Sequence, residues 1–273
     1  MKFSGKVAVI MSVYKNDNFY FLKNSIESII SQDYSGIRLF IFRDGVVSDD
    51  IQSYLESMKL LGVKVINSNS NRGLANGLNT LIDEVLSTRE YDYIARMDSD
   101  DISRPNRISR QVSFMESDKS VDVCGTSCRE FGASFSLNEK HLPTSHSELL
   151  DFSITRCPFI HPSVMFRSSV FEGGIRYPTN TSLTEDMALW FELLNRGCKF
   201  ANINEVLIDY RLDERTIQRR KGFDKAISEV KIRLYNMFKL QRFSMKALSL
   251  ILARFVFHLL PDYAMRLVYK KAR

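Results

Sequence analysis

Three carboxylates stand close together in the sequence, at Asp98, Asp100 and Asp101, directly after an apolar run at 93–95. Carboxylates at this spacing repel one another, so a cation bound among them would stabilise the folded chain. Mg²⁺ and Mn²⁺ prefer oxygen ligands and are typically held by one or two carboxylates together with substrate phosphates. This segment, which we call the acidic loop (residues 98–101), therefore predicts a site for a metal-bound diphosphate.

Acidic residues after a strand also occur without a functional role, in solvated turns and at helix N-caps. An EF-hand is excluded, because that loop needs an oxygen ligand where Ile102 stands and a glycine where Ser103 stands. The first strand is followed by no Gly-x-Gly-x-x-Gly sequence, and a Walker phosphate loop is also missing. The surroundings of the acidic loop must therefore decide between a functional site and a turn.

The first hundred residues predict strands that alternate with helices. Apolar runs of strand length occur at 7–13, 37–42, 63–66 and 93–97, with apolar residues at helical spacing between them. Such alternation is typical of a parallel sheet with right-handed crossovers, whose ligands bind beyond the carboxyl ends of the strands. Polar residues follow each run at that edge: Ser12 with Tyr14, Asp44, Asn71, and the acidic loop. Together they outline a pocket for a base, a ribose and a diphosphate.

These residues resemble the successive motifs of the family 2 inverting glycosyltransferases with the GT-A fold. The matching segments are Ser12-Val13-Tyr14, Asp44-Gly45, Asn71-Arg72-Gly73 with Asn79, 95–101, 104–107, 161–167, Glu185-Asp186 and Tyr210-Arg211. The resemblance covers about residues 5–212 and is closest to bacterial enzymes that build O-antigen, capsule and exopolysaccharide. It implies an α/β GT-A domain over 1–214, with a Rossmann-like nucleotide half at about 1–107 and a mixed-sheet acceptor half at about 108–214.

The resemblance implies a UDP-sugar donor and Mn²⁺ or Mg²⁺ as cofactor. Asp44 would accept a hydrogen bond from the uracil imide, and Tyr14 would pack on or beside the base. Asp98 would hold the ribose side, and Asp100 would ligate the metal that bridges the phosphates, with Asp98 as the further metal ligand. Asp101 is a supporting or N-cap carboxylate for a helix from 108, or a direct metal contact. The remaining predicted donor-binding residues are Ser12, Asn71, Arg96, Ser99, His161 and Arg211.

The resemblance also makes Asp186 the candidate general base that removes the acceptor hydroxyl proton, with Glu185 as the second candidate. Acidic residues in a first helical turn are favoured by the helix dipole alone, so this pair also has a structural explanation. A single displacement inverts the anomeric centre, so an α-linked UDP-Gal, UDP-Glc or N-acetyl analogue would yield a β-linkage. The Arg-Trp pair of processive members is missing after Gln218, and we expect one sugar per encounter.

The charge of the chain is divided unevenly. Residues 1–214 carry 23 Lys+Arg and 29 Asp+Glu, whereas residues 215–273 carry 15 and 3. The basic tail at 215–273 reads as helices, and its apolar run at 247–260 is shorter than the roughly 20 residues of a spanning helix. We expect it to lie on an anionic membrane surface, where a polyprenyl-diphosphate-linked saccharide acceptor resides, or to pack on the body as a helical hairpin. No base-reading motif supports a nucleic-acid partner.

The sequence also bears on where the protein is located and on two alternative functions. The sequence starts without a signal-peptide pattern, and the cysteines, Cys124, Cys128, Cys157 and Cys198, lack metal-site spacing, which favours a cytoplasmic protein. Together with the basic tail, the resemblance to bacterial enzymes implies a peripheral location on the inner face of the bacterial inner membrane. An aspartyl phosphatase with Asp98 as nucleophile is a competing enzyme class, but it does not explain the first three strands. A non-catalytic sugar-nucleotide-binding or scaffold protein of a polysaccharide assembly complex is the remaining alternative.

Overall fold

The computed structural model describes residues 5–181, 184–214 and 223–259. Its strands are β1 (Val7–Tyr14), β2 (Ile37–Asp44), β3 (Lys64–Ser68), β4 (Tyr93–Arg96), β5 (Ile102–Ser103), β6 (Val123–Phe131), β7 (Met165–Arg167) and β8 (Phe200–Arg211). Its helices are α1 (Phe19–Ile30), α2 (Asp49–Leu60), α3 (Leu74–Thr88), α4 (Arg107–Ser117), α5 (His146–Thr155), α6 (Ser169–Glu172), α7 (Glu185–Asn195), α8 (Phe223–Lys239) and α9 (Met245–Leu259), with a 3₁₀ turn at His161–Ser163.

The strands form one mixed sheet in the order β3-β2-β1-β4-β7-β6-β8-β5. The four strands of the nucleotide half are parallel, with Tyr14 of β1 opposite Asp44 of β2. The other half is mixed, because β7 runs antiparallel to both β4 and β6 while β6 and β8 are parallel. Since the chain runs outward from β1 to β3 and returns as β4, strand order switches between β1 and β4. This confirms the predicted α/β fold with a parallel nucleotide half and a mixed second half.

Helices cover both faces of the sheet and divide the core into two layers. Odd residues of β1, such as Val7 and Val9, face α1, α2 and α4, whereas Ala8 and Ile10 face α3, α5 and α7. A parallel strand with helices on both faces is apolar throughout, which explains the continuous run in the sequence. Of the apolar residues at helical spacing, Ile30 at the end of α1 and Leu74 at the start of α3 lie outside the core and are 49% and 37% exposed.

The C-terminal helices pack on the rest of the fold. Met237 of α8 and Ile251 of α9 are fully buried in the same core layer as α5 and α7. The fully buried guanidinium of Arg233 donates to the carbonyls of Ser153 and Ile154 at the end of α5 and pairs with Glu229. Helix carbonyls at a C-terminus lack partners within the helix, so this arginine caps α5. The predictions for 215–222 and 260–273 lie outside the described residues.

Candidate active site

The acidic loop lies at the carboxyl ends of the parallel strands, next to the switch point. It follows β4, and β1 ends beside it at Tyr14, which is 38% exposed. Ser12 lies further back in β1, where it faces Gly77 of α3 closely enough that a Cβ at 77 would lie 2.9 Å from its Oγ. Tyr14 is therefore open to a ligand at this edge, whereas Ser12 lies against the helix behind it.

Asp44, at the end of β2, binds the loop that carries Asn71. Its carboxylate accepts hydrogen bonds from the backbone N–H groups of Arg72 at 2.6 Å and Gly73 at 2.9 Å. Gly45 has a φ of +85°, and a Cβ there would lie 3.0 Å from the backbone nitrogen of Asn71. Asp44 and Asn71 thus come together as predicted, and Asp44 also supports the loop, a role that the sequence did not indicate.

Asp98 is held by two basic side chains. Its Oδ1 accepts a hydrogen bond from Nε of Arg96 at 3.0 Å, and its Oδ2 lies 3.2 Å from Nε2 of His161 in the 3₁₀ turn before β7. Burial acts to raise the pKa of Asp98, but the charge of Arg96 and the contact with His161 lower it well below its usual range. Asp98 is consequently a carboxylate at all ordinary pH values.

Burial and neighbouring carboxylates disfavour the ionised forms of Asp100 and Asp101, and Arg211 opposes this effect. Burial and the neighbouring Asp98 raise the pKa of Asp100, and burial together with Asp100 and Asp98 raises that of Asp101. Oδ1 of Asp101 accepts the backbone N–H of Arg211 at 2.7 Å, while its buried Oδ2 has no hydrogen-bond partner. The N-cap prediction for Asp101 was wrong, because α4 begins after Asn106 and Asp101 instead ties the acidic loop to the end of β8.

Arg211 closes the loop from the other half of the sheet. Its Nε donates to the backbone carbonyl of Asp100 at 2.8 Å. The guanidinium carbon lies 3.7 Å from the ring centroid of Phe21 and 4.3 Å from that of Phe131, so the cation is held between two aromatic faces. Arg211 therefore reaches the acidic loop from the end of β8.

Asp17 is a site residue that the motifs did not reveal. Its Oδ2 accepts the backbone N–H of Tyr14 at 2.8 Å, and its Oδ1 accepts the hydroxyl of Ser99 at 3.0 Å. Burial raises its pKa to about 6, with smaller contributions from the charges of Asp100 and Asp98 and with the two hydrogen bonds opposing the rise. The predicted residues Tyr14 and Ser99 are thus linked by a carboxylate three residues after the first strand ends.

Polar residues of α1, together with Gln32 just after it, support the acidic loop and the segment that follows the loop. Ser25 Oγ donates to the carbonyl of Asp98 at 2.8 Å, and Ser28 accepts the N–H of Ser103 at 3.0 Å. Gln32 donates to the carbonyl of Arg104 and accepts the N–H of Ile108. Ser25 and Ser28, spaced i and i+3 on an otherwise apolar face of α1, were the available sequence signal.

Asp186 lies in the first turn of α7 and contacts Arg96. Nη1 of Arg96 donates to Oδ1 of Asp186, so one guanidinium touches both the acidic loop and the candidate base. Glu185 precedes Asp186 and is the first residue of α7. Thr184 is the N-cap residue, but its hydroxyl lies 3.1 Å from Ser228 of α8 instead of capping the helix.

The donor set of the acidic loop fits a divalent cation. Within residues 5–181, 184–214 and 223–259, no three His, Cys, Asp or Glu side chains come together as a metal site. Mg²⁺ and Mn²⁺ do not require three, because they bind one or two carboxylates with water and substrate phosphates. The raised pKa of Asp100 and the unpartnered Oδ2 of Asp101 both mark negative charge that a cation would compensate. Asp100 is the ligand that this arrangement favours, since both oxygens of Asp98 already contact Arg96 or His161.

A parallel nucleotide half, an acidic loop at the switch point and a carboxylate on a helix of the second half together define a GT-A type of glycosyltransferase. The family model described as glycosyl transferase family 2 matches residues 8–178, and the chain belongs to that family. This confirms the resemblance and makes the protein a transferase.

Relatives and solved structures agree with this assignment. The chain is 32% identical to an Escherichia coli UDP-Gal:alpha-D-GlcNAc-diphosphoundecaprenol beta-1,3-galactosyltransferase, over 97% of this chain and 96% of the relative. It is 27% identical to the amylovoran biosynthesis glycosyltransferase AmsE of Erwinia amylovora, over 97% and 98%. A mannosyltransferase of Pyrobaculum calidifontis, solved with GDP-Man and Mn²⁺, superimposes with a TM-score of 0.62 at 16% identity. The match covers 98% of this chain and 73% of the mannosyltransferase chain.

Proposed function

We propose that the protein transfers one sugar from a UDP-sugar to a polyprenyl-diphosphate-linked saccharide, with inversion, in the synthesis of a bacterial surface polysaccharide such as O-antigen or capsule. The observation that carries the proposal is the contact of one guanidinium, that of Arg96, with both Asp98 and Asp186. It joins a carboxylate of the nucleotide half to a carboxylate of the acceptor half. The relative named for UDP-Gal and a diphosphoundecaprenol acceptor supports the choice of donor and acceptor.

In the proposed donor site, Tyr14 packs on the uracil, Asp44 accepts its imide N–H, and Asp98 binds the ribose side. A divalent cation ligated by Asp100, when bound, would neutralise the charge that develops on the departing diphosphate. Arg211, whose guanidinium lies at the acidic loop, supplies a further positive charge there. Ser12, Asn71, Ser99 and His161 complete the donor-binding set that we propose.

In the proposed transfer, Asp186 accepts the proton of the acceptor hydroxyl while its oxygen attacks the anomeric carbon from the face opposite the diphosphate. The bond to the diphosphate breaks in the same displacement, so an α-linked donor gives a β-glycoside. A positioned base typically contributes about 10²- to 10⁴-fold in rate. Glu185 is the second candidate for this role.

A ligand-dependent melting experiment tests the donor site. The purified protein is heated with UDP, UDP-Gal, UDP-Glc and their N-acetyl analogues, each with Mn²⁺ and with chelator, beside an Asp100→Ala variant. Ligand at 100 times its Kd stabilises by about 2.7 kcal/mol, which is roughly 5 to 10 °C for a protein of this size. A shift that needs Mn²⁺ and disappears in the variant is expected, and no shift with any uridine nucleotide would contradict the proposal.

Product formation then separates the enzyme from the non-catalytic alternative. The sugar that gives the largest shift is offered with a synthetic lipid-diphosphate saccharide, and the new linkage is assigned by NMR. We expect a β-linkage in the wild type and a loss of about 10²-fold or more in Asp186→Asn. Donor binding without transfer to any lipid-linked saccharide would favour a sugar-nucleotide-binding scaffold protein.

We also propose that the α8–α9 hairpin attaches the protein peripherally to the anionic inner face of the inner membrane, where its acceptor lies. Apolar side chains that are at least half exposed cluster near the turn between the helices, namely Tyr235, Phe238, Phe243 and Met245. The rings of Phe238 and Phe243 stack at 5.5 Å, and Lys239, Arg242 and Lys246 stand among them. Aromatic and basic side chains together suit a lipid headgroup region. None of the described helices is long and apolar enough to cross a bilayer.

Vesicle flotation tests this attachment. The wild type should float with vesicles that contain phosphatidylglycerol and less with neutral vesicles, and the pair Phe238→Ser with Phe243→Ser should reduce flotation. Leu60→Ser is the matched control, because Leu60 is 88% exposed but lies on α2. Equal flotation of the wild type and the paired variant would assign membrane binding, if any, to another surface.

A further inference from the structure

The guanidinium of Arg96 is shared between two carboxylates from different halves of the fold. Its Nε and Nη2 donate to Oδ1 and Oδ2 of Asp98, at 3.0 and 3.4 Å, which is the side-on arrangement of a bidentate pair. Its Nη1 points to Oδ1 of Asp186. Because the guanidinium is planar and rigid, these contacts determine where the two carboxylates lie relative to each other.

Because Arg96 is buried, its positive charge requires paired carboxylates. The side chain of Arg96 is 1% exposed, and a buried cation is costly unless it is paired and hydrogen-bonded. Burial alone would lower the pKa of Arg96, but the charges of Asp186 and Asp98 raise it well above its usual value. The cation therefore stays charged, and it depends on both carboxylates.

The surroundings hold Arg96 in one place. Its backbone N–H donates to the carbonyl of Val164 at 2.9 Å, and its carbonyl accepts from the buried Arg107 at 2.9 Å. The ring of Tyr177 lies 5.9 Å from the guanidinium. The backbone of Tyr177 is in turn fixed by Asn79, whose amide makes two hydrogen bonds to it, each at 2.8 Å. Neighbouring groups thus restrict the guanidinium on several sides.

We propose that Arg96 is a positioning residue for the transfer step, which holds the carboxylate of Asp186 at a defined place relative to the donor-binding Asp98. This inference rests on the proposed function and adds a role that the donor motif does not require. Asp98 contributes to donor binding, and Asp186 must meet the acceptor hydroxyl close to the anomeric carbon of that donor. Small errors in such a placement are costly in rate, because reacting atoms must approach within about 3 to 3.5 Å.

A double-mutant cycle tests the role of Arg96. The variants are Arg96→Met, Asp186→Asn and the double variant, and the readouts are kcat for transfer and the Kd of UDP with Mn²⁺. If Arg96 acts through Asp186, Arg96→Met lowers kcat about 10²-fold in the wild-type background and less than about threefold in the Asp186→Asn background. Because Arg96 also pairs with Asp98, the Kd of UDP rises, but by a smaller factor than kcat falls. Arg96→Lys, which keeps the charge but loses the planar fork, recovers part of kcat.

Arg233→Lys is the control for the loss of a buried guanidinium. Arg233 is also 1% exposed and paired with a carboxylate, but its partners are Glu229 and the end of α5. Its substitution should lower the melting temperature and leave kcat of the folded protein unchanged.

Several outcomes would overturn the inference. The first is a loss of kcat in the double variant that equals the product of the losses in the two single variants. The second is a rise in the Kd of UDP in Arg96→Met as large as the fall in its kcat. The third is failure of both Arg96→Met and Arg96→Lys to fold. These outcomes leave the proposed function intact as long as the wild type transfers sugar and Asp186→Asn impairs it. A wild type that transfers no sugar would overturn both proposals.

Discussion

Nε2 of His161 lies 3.2 Å from Oδ2 of Asp98, which ties the 3₁₀ turn before β7 to the acidic loop after β4. The imidazole approaches the carboxylate oxygen opposite the one that Nε of Arg96 contacts. Asp98 is thereby fixed by residues from two separate parts of the chain. The contact gives His161 a definite place in the proposed donor site, and we therefore expect its replacement to affect donor use.

Replacing His161 by alanine should weaken the use of the donor. A hydrogen bond to a charged group contributes about 1.5 to 3 kcal/mol, so we expect kcat/KM for the UDP-sugar to fall by roughly tenfold or more. His161→Gln, which keeps an N–H donor, should lose less. Steady-state kinetics with varied donor measure both, and His141→Ala is the control, because that imidazole contacts Ser127 and Asn204 instead. Unchanged kinetics in His161→Ala would mean that Arg96 alone holds Asp98.

Replacing Asp17 by asparagine should change how stability depends on pH. Burial raises the pKa of Asp17 from 3.8 to about 6, so the folded protein binds this proton more tightly than the unfolded chain. The ionised carboxylate therefore costs stability progressively between about pH 4 and pH 6, by up to about 3 kcal/mol above that range. Urea unfolding in chelator should show the stability of Asp17→Asn rising relative to wild type across this window. A difference that is constant with pH would contradict the raised pKa.

Replacing Gly77 by alanine should push α3 away from the sheet. A Cβ at this residue would lie 2.8 Å from Cδ1 of Phe42 and 2.9 Å from Oγ of Ser12. Overpacking of this kind costs about 1 to 3 kcal/mol, more than the roughly 0.5 to 1 kcal/mol that alanine contributes to a helix over glycine. Thermal unfolding measures the net loss. Gly173→Ala is the control, because a Cβ there has no atom within 4 Å, and equal stabilities of the two variants would show that α3 can shift freely.

Replacing Arg233 by methionine should destabilise the whole domain. The substitution takes one arginine partner, Arg233, from the buried carboxylate of Glu229 and uncaps α5, and breaking a buried pair typically costs about 3 to 5 kcal/mol. Arg242→Met is the control, because its pair with Asp151 is exposed and should contribute at most about 1 kcal/mol. Denaturant unfolding compares them. A small effect of Arg233→Met would show that α8 contributes little to the stability of the fold.

Much of the nucleotide half was predictable because its signals are local. The parallel strands contain apolar stretches, of which that in β1 is the longest, and polar residues lie at the edge where ligands bind, such as Tyr14 and Asp44 at the ends of β1 and β2. The supporting residues were harder to find. Ser25 and Gln32 look like ordinary polar residues of a helix surface until α1 is placed beneath the acidic loop. Asp17 likewise shows no motif, and its raised pKa depends on the charges and burial around it.

The sequence by itself determined the family, the order of strands and helices in the nucleotide half, and the residue types at its carboxyl edge. These follow from periodicity and motifs, which act over a few residues at a time. Tertiary structure alone decided that Arg96 joins Asp98 to Asp186, that Asp101 binds the end of β8, and that α8 caps α5 through Arg233. Apart from the local pair of Arg96 and Asp98, these contacts link residues far apart in the chain, and they depend on burial and charge that exist only after the sheet has formed.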